Sequence, residues 1–201
     1  ILVIGCFEVR VTPYLVALLS GSALGLPLAA EDILANVAGC LVLLSAHPFT
    51  IGDYIEGSGT SGTVEEITLN YTKLVTPDGH LVMLPNKSLA DSQMTNYTAL
   101  GRRRVTQVVT ASYDAPAEDV KAACYQALER TDKVLADPAP AVYVTNYGES
   151  SIEYTIYCWA SAADFLAVKF GLSENLRPAF DDHGVEMTYD HLNVHIVENR
   201  G

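Results

Sequence analysis

The stretch from Tyr14 to Phe49, YLVALLSGSALGLPLAAEDILANVAGCLVLLSAHPF, constrains this chain more than any other. Its first part, Tyr14 to Ala30, runs seventeen residues without a charge. At about 1.5 Å per residue, that is the lower limit for crossing a hydrocarbon core of about 30 Å. Ala17, Gly21, Ala23 and Gly25 alternate with leucines, which suits helices packed closely against copies of themselves. Glu31 and Asp32 interrupt the run, a second apolar segment follows from Ile33 to Ala46, and Pro48 ends it. The pattern predicts a membrane helix with a break, then a helix lying along the membrane face.

The 201 residues have room for two small domains and one or two membrane elements. The chain opens on Ile1 inside the apolar run ILVIGCF, which reads as the end of an earlier membrane helix, and it carries no signal-peptide pattern. A formal charge of −12 argues against a nucleic-acid partner, because phosphate binding draws on clustered Lys and Arg. The one basic cluster, Arg102-Arg103-Arg104, reads as a solvated strand entrance or a contact to a neighbouring acidic subunit; anionic lipid is the alternative. Cys6, Cys40, Cys124 and Cys158 show no C-x-x-C spacing and read as reduced, mostly buried thiols.

After Pro48 the texture changes to short β runs punctuated by Gly, Asp and Thr. Strands are expected at 53–56, 62–69, 71–76, 80–84 and 94–98, with a tight turn at Pro77-Asp78-Gly79 and one helical turn over 87–91. Five such strands within about fifty residues predict a small SH3-like barrel. A second soluble unit follows: a strand over 103–112, a helix to about Arg130, strands over 141–147 and 151–160, a helix over 163–183 and a strand over 185–189. Val120, Ala123, Cys124, Ala127 and Leu128 form the inward stripe of its first helix, and Pro178 should kink or split the second. The β-α-β-β-α-β order is that of a ferredoxin-like α/β sandwich, and 192–197 alternates as a final short strand.

Catalysis finds no support. His191 and His195 are four apart but make an incomplete zinc set, and no phosphate-cradling or nucleophile-elbow motif is present, so neither a metal nor a cofactor is expected. Gly57-Ser-Gly-Thr-Ser-Gly reads as a flexible hairpin tip. Leu24 and Leu28 share a helical face, which on periodicity alone is a lipid contact. Pro27 should bend its helix. Glu31 and Asp32 read as N-cap and first-turn acids of the next helix, as a ring of carboxylates at a pore mouth, or as both.

Six motifs in fixed order carry a resemblance: Leu34-Ala-Asn-Val-Ala-Gly, His47-Pro-Phe, Gly52-Asp-Tyr-Ile, Gly62-Thr-Val, Thr76-Pro-Asp-Gly and Leu84-Pro-Asn. Together they resemble the MscS-type small-conductance mechanosensitive channels, and a weaker match continues to the C-terminal strand. The resemblance implies a homoheptamer with no enzymatic activity. Residues 1–10 would end a preceding membrane helix and 11–47 would form the pore-lining helix, broken near 27–32. Residues 48–101 and 102–189 would be the SH3-like and ferredoxin-like domains, and 190–201 would join a barrel of strands at the base.

The resemblance also places the working parts. Leu24 and Leu28 fall on the family's pore-constricting leucines and become a hydrophobic gate rather than a lipid contact. Pro27, Glu31 and Asp32 become the pore bend and mouth, and Asn36, Pro48 and Phe49 the coupling from helix to β domain. The family usually has glutamine and glycine where this chain has Glu31 and Asp32, so less anion preference is expected. The implied function is release of ions and small osmolytes on hypo-osmotic shock. The implied partners are membrane lipids and other copies of the chain, in a multi-pass protein of the cell (inner) membrane with cytoplasmic soluble domains. The competing class is a non-channel assembly or RNA-binding module built on the SH3-like barrel.

Overall fold

A computed structural model describes residues 31–188, which contacts divide into two units between Ala99 and Leu100. Leu24, Pro27, Leu28, His191, His195 and the strand expected at 192–197 lie outside the described residues. Among the described residues, no helix is long and apolar enough to cross a membrane.

In the first unit, helix α1 covers residues 31–46. Strands β1 (Tyr54–Gly57), β2 (Thr60–Ile67), β3 (Tyr71–Val75) and β4 (Leu81–Pro85) follow, then the short helix α2 (Asn86–Asp91) and strand β5 (Met94–Asn96). All pairings are antiparallel, in the order β4-β3-β2-β1-β5. The five expected strands are present, with β4 and β5 as the two edges of the ladder. Phe49, Ile55, Val64, Leu74, Leu84 and Leu89 form the core, and Leu43 of α1 is buried with them.

Local chemistry sets these strand ends. The segment expected to be a flexible hairpin tip is a tight two-residue turn: Ser58 and Gly59 both have positive φ, 50° and 76°, between the paired Gly57 and Thr60. Both central residues left-handed is the turn whose twist matches the flanking strands. The Ser58 hydroxyl also donates to the Ser88 carbonyl at 3.1 Å, which fixes the tip. In β2 the register shifts between Val64 and Glu66, and this bulge leaves both Glu65 and Glu66 exposed.

The second unit runs β6 (Arg102–Ala111), α3 (Ala117–Glu129), β7 (Ala141–Tyr147), β8 (Ile152–Ser161) and α4 (Phe165–Asp182). The three strands form an antiparallel sheet, β6-β8-β7, with β8 central and paired along both edges. The predicted stripe of α3 is its buried face. From α4, Val168, Leu172, Leu176, Ala179 and Phe180 complete a core with Tyr154, Ile156 and Cys158 of β8. Pro178 does not split α4, which stays one eighteen-residue helix.

The strand expected over 185–189 is not seen in its described part: residues 185–188 belong to no ladder. The cause is local. α4 ends in a Schellman turn, with Gly184 at φ 65°, its N–H on the Asp181 carbonyl and the Val185 N–H on the Phe180 carbonyl. Val185 is consumed by that turn and by burial in the core, so the chain leaves without strand pairing at this point.

Candidate functional site

The expected coupling residues sit where α1 meets the β domain. Asn36, Gly39, Cys40 and Leu43 recur at the spacing of one helical face, which the sheet side of the unit covers. Gly39 is the point of closest approach. A Cβ added there would lie 2.7 Å from the Lys87 nitrogen and 2.8 Å from the Asn86 carbonyl carbon, both backbone atoms that cannot step aside. Only glycine lets the helix lie this close to the start of α2.

One turn earlier, Asn36 supplies what α2 lacks. The residue at the α2 N-cap position is Pro85, which has no side-chain cap to offer. The Lys87 N–H instead donates to Asn36 Oδ1 at 3.1 Å, while Asn36 Nδ2 donates to the Asp32 carbonyl at 2.9 Å. A side chain of α1 thus satisfies an orphan donor of α2.

Beneath this contact, Asn86 is fully buried and its side chain is fully used. Its Oδ1 accepts from the Thr72 hydroxyl at 2.9 Å, and its Nδ2 donates to the carbonyls of Thr68 and Leu69 at 2.8 and 3.0 Å. Its backbone N–H reaches the Asn70 carbonyl at 3.0 Å. Asn86 therefore ties the β2–β3 turn and β3 to the spot where α1 rests.

The exit of α1 is fixed by a second polar group. His47 adopts φ 47°, donates its N–H to the Leu43 carbonyl at 3.0 Å and ends the helix. Phe49 then turns into the core at 4% exposure. The Pro48 carbonyl accepts from Asn96 Nδ2, which is also 3.0 Å from Asp53 Oδ2. The Asp53 carboxylate further accepts from the Thr50 N–H at 2.8 Å and from the hydroxyls of Thr98 and Thr50 at 2.7 and 3.2 Å. Burial is the largest influence on Asp53 and opposes its ionisation. The hydrogen bonds from the Thr50 backbone, Thr98, Asn96 and the Thr50 hydroxyl outweigh it and hold the carboxyl below its ordinary 3.8.

Of the expected site residues within the described range, Asn36, Pro48 and Phe49 therefore converge on one junction. Glu31 and Asp32 are exposed and already inside the helical run, so neither is a non-helical cap. Gly39, Asn86 and the Asp53–Asn96–Thr98 group were not singled out by sequence reasoning. The first three belong to motifs visible in the sequence, yet their tasks depend on backbone approached from elsewhere in the fold.

The outward side of α1 is apolar as well. Ile33, Leu34, Leu41, Val42 and Leu44 are each between 47% and 65% exposed. A helix apolar on both sides has one face for its own domain and another for a second apolar environment.

This arrangement, a doubly apolar helix locked onto a five-stranded β domain that precedes an α/β domain, is matched in known proteins. The family described as "Mechanosensitive ion channel, beta-domain" matches residues 32–99, and "Mechanosensitive ion channel MscS, C-terminal" matches residues 105–187. A small-conductance mechanosensitive channel of Helicobacter pylori is 31% identical over 186 residues, covering 92% of this chain and 68% of the relative. An uncharacterized MscS family protein of Synechocystis is 29% identical, covering 93% of this chain and 63% of the relative. The closed-state crystal structure of Helicobacter pylori MscS superposes with a TM-score of 0.82 at 30% identity, over 92% of this chain and 74% of that one. The chain belongs to the MscS family of mechanosensitive channels. It spans roughly two thirds of the length of these relatives, 63% and 68% of the two named.

Proposed function

We propose that the protein is a mechanosensitive channel of the cell membrane, opened by tension and passing ions and small osmolytes on hypo-osmotic shock. The observation that carries this reading is α1, with one face locked by Asn36, Gly39 and Leu43 and the other left apolar and exposed. Such a helix links a bilayer, or neighbouring membrane helices, to a folded domain. Seven copies would surround one pore, with Leu24 and Leu28 as rings that expel water in the shut state. Pro27, Glu31 and Asp32 would form the bend and mouth, where carboxylates disfavour anions. Asn36, Pro48 and Phe49 would transmit movement between helix and β domain. Tension selects the state of larger in-plane area, so opening is a shift between two packings.

The test is Leu28→Ser in the full-length protein, recorded in membrane patches. A hydroxyl at the constriction wets the pore, so the variant should open at lower tension. An unchanged threshold would remove Leu28 from the gate. Reversal potentials in asymmetric salt check the second expectation, that the acidic mouth lessens anion preference. If Glu31→Gln/Asp32→Gly leaves them where they are, the mouth assignment is wrong.

A further inference from the structure

The sheet of the second unit has two unlike faces. Its odd positions on β6 (Val105, Val109, Ala111) and even positions on β8 (Tyr154, Ile156, Cys158, Ala160) are buried with α3 and α4. Among the described residues, no helix of this unit lies over the opposite face. There the register sets Arg104 opposite Trp159 and Thr106 opposite Tyr157, with Ala141 of β7 paired to Tyr157 on its other side.

The side chains on that face interleave. The Arg102 guanidinium lies over the Trp159 ring at 5.4 Å from its centroid, and that of Arg104 over the Tyr157 ring at 4.7 Å. The Tyr143 ring follows at 6.2 Å from Tyr157 and is 58% exposed. Two cations and three aromatic rings thus form one continuous ladder across three strands. Neither Arg102 nor Arg104 makes an ion pair among the described residues, where the ion pairs are Lys73–Glu66, Arg130–Asp182 and Lys133–Asp164. Their neighbour Arg103 points to the helix side, 3.8 Å over Phe165.

Arg, Trp and Tyr are the side chains that dominate protein–protein hot spots, because each offers a large, stiff contact surface with a polar handle. The charges on the chain itself identify the partner. Residues 31–99 carry eight carboxylates (Glu31, Asp32, Asp53, Glu56, Glu65, Glu66, Asp78, Asp91) against two lysines, so a second copy is an acidic surface. We propose that the Arg102–Trp159–Arg104–Tyr157–Tyr143 face is a docking surface for a second copy of this chain, whose carboxylates pair with the two stacked guanidinium groups. Stacking holds the arginines flat and ready before the partner arrives, so little side-chain freedom is lost on docking. An anionic bilayer is the less favoured occupant, because a chain at −12 is repelled by it as a whole.

The inference rests on the oligomeric channel reading, and the experiment separates the two. The full-length protein in detergent is followed by light-scattering mass during dilution. Trp159 emission and acrylamide quenching are isolated by difference from Trp159→Phe. Trp159 should be shielded in the oligomer and become quenchable as it dissociates. Arg102→Glu/Arg104→Glu should raise the dissociation midpoint by about tenfold or more, the scale of hot-spot losses. The less intrusive Tyr143→Ser, at a position exposed in the single chain, should shift it in the same direction. Circular dichroism on each variant confirms folding. An oligomer in which Trp159 stays open to quencher, or in which both variants dissociate like the parent, overturns this face while leaving the oligomer intact. A parent that is monomeric throughout defeats the oligomeric reading itself. Shielding of Trp159 in anionic vesicles but not in detergent oligomers gives the face to lipid and overturns the second copy.

Discussion

The helix–sheet junction of the first unit and the sheet–helix core of the second are held by different physics. At the junction, a few directional contacts matter: Gly39 against backbone, Asn36 to Lys87, Asn86 to three partners and Asn96 between Pro48 and Asp53. In the second unit, Tyr154, Ile156, Leu172 and Phe180 are all fully buried, and apolar area does most of the work. Burial is forgiving of small shifts in direction, whereas hydrogen bonds to fixed backbone atoms are not. The junction therefore gains geometric definition from the second kind of contact, and the second unit gains stability from the first.

Four measurements break or sharpen this contrast. The largest effect is expected at Phe180→Ala, where loss of a fully buried ring should cost the second unit about 3–5 kcal/mol in denaturant unfolding. A loss below about 1 kcal/mol would mean that the core collapses around the gap and that packing there is loose.

Asn86→Ala comes next. It strands the Thr72 hydroxyl and two carbonyls, so the first unit should lose about 2–3 kcal/mol. The comparison is sharpened by Gly39→Ala, which should loosen α1 through a clash with the Asn86 and Lys87 backbone while leaving the second unit's unfolding unchanged. Hydrogen exchange at α1 reads this directly. Unaltered protection of α1 in Gly39→Ala would show that the close approach is not what holds the helix.

The smallest effect is the pH dependence of the Asp53 group. Its folded pKa is depressed, so its stabilisation is complete above the unfolded value near 3.8 and is lost as pH falls through the folded value. Unfolding of the first unit followed from pH 6 downward should steepen below about pH 4, and Asp53→Asn should flatten that limb. Parallel acid limbs in parent and variant would take Asp53 out of the account. Cys124 and Cys158 provide the contrasting region: burial pushes their thiols up to about 12 and about 11, which leaves them protonated across this range.

Much of this was legible in the sequence, and the reason differs by element. The strands announced themselves by alternation and by turn residues, so β7 matches its expected span and β3 and β4 fall within a residue of theirs. The inward stripe of α3 was readable because a periodic apolar face has one place to go. Two expectations failed and a third was narrowed where a local signal met a tertiary constraint. Gly57 to Gly62 looked flexible, yet Ser58 is tied to α2. Pro178 was expected to kink or split α4; the split is absent, and α4 runs through the proline with Leu176, Ala179 and Phe180 buried on both sides of it. The strand after Gly184 gave way to a Schellman turn that absorbs Val185.

At the junction, Asn36, Pro48 and Phe49 were recognisable as members of ordered motifs. Asn86 stood in one of those motifs without a visible task, because its partners are the backbone of a turn sixteen to eighteen residues earlier and a hydroxyl on β3.

By itself the sequence determined the order of strands and helices from α1 to α4 and the apolar character of α1, and its ordered motifs carried the family resemblance. The elements follow from periodicity and turn residues, and the resemblance from motifs in a fixed order, all of them properties of residues along the chain. The tertiary structure alone decided that Gly39 is the contact point, that Asn36 caps a helix fifty residues away, that Asn86 is the buried tie beneath them, and that the three arginines divide between two faces of a sheet. These depend on register and on the approach of backbone to backbone, where a shift of one residue reverses the outcome and no local pattern records it.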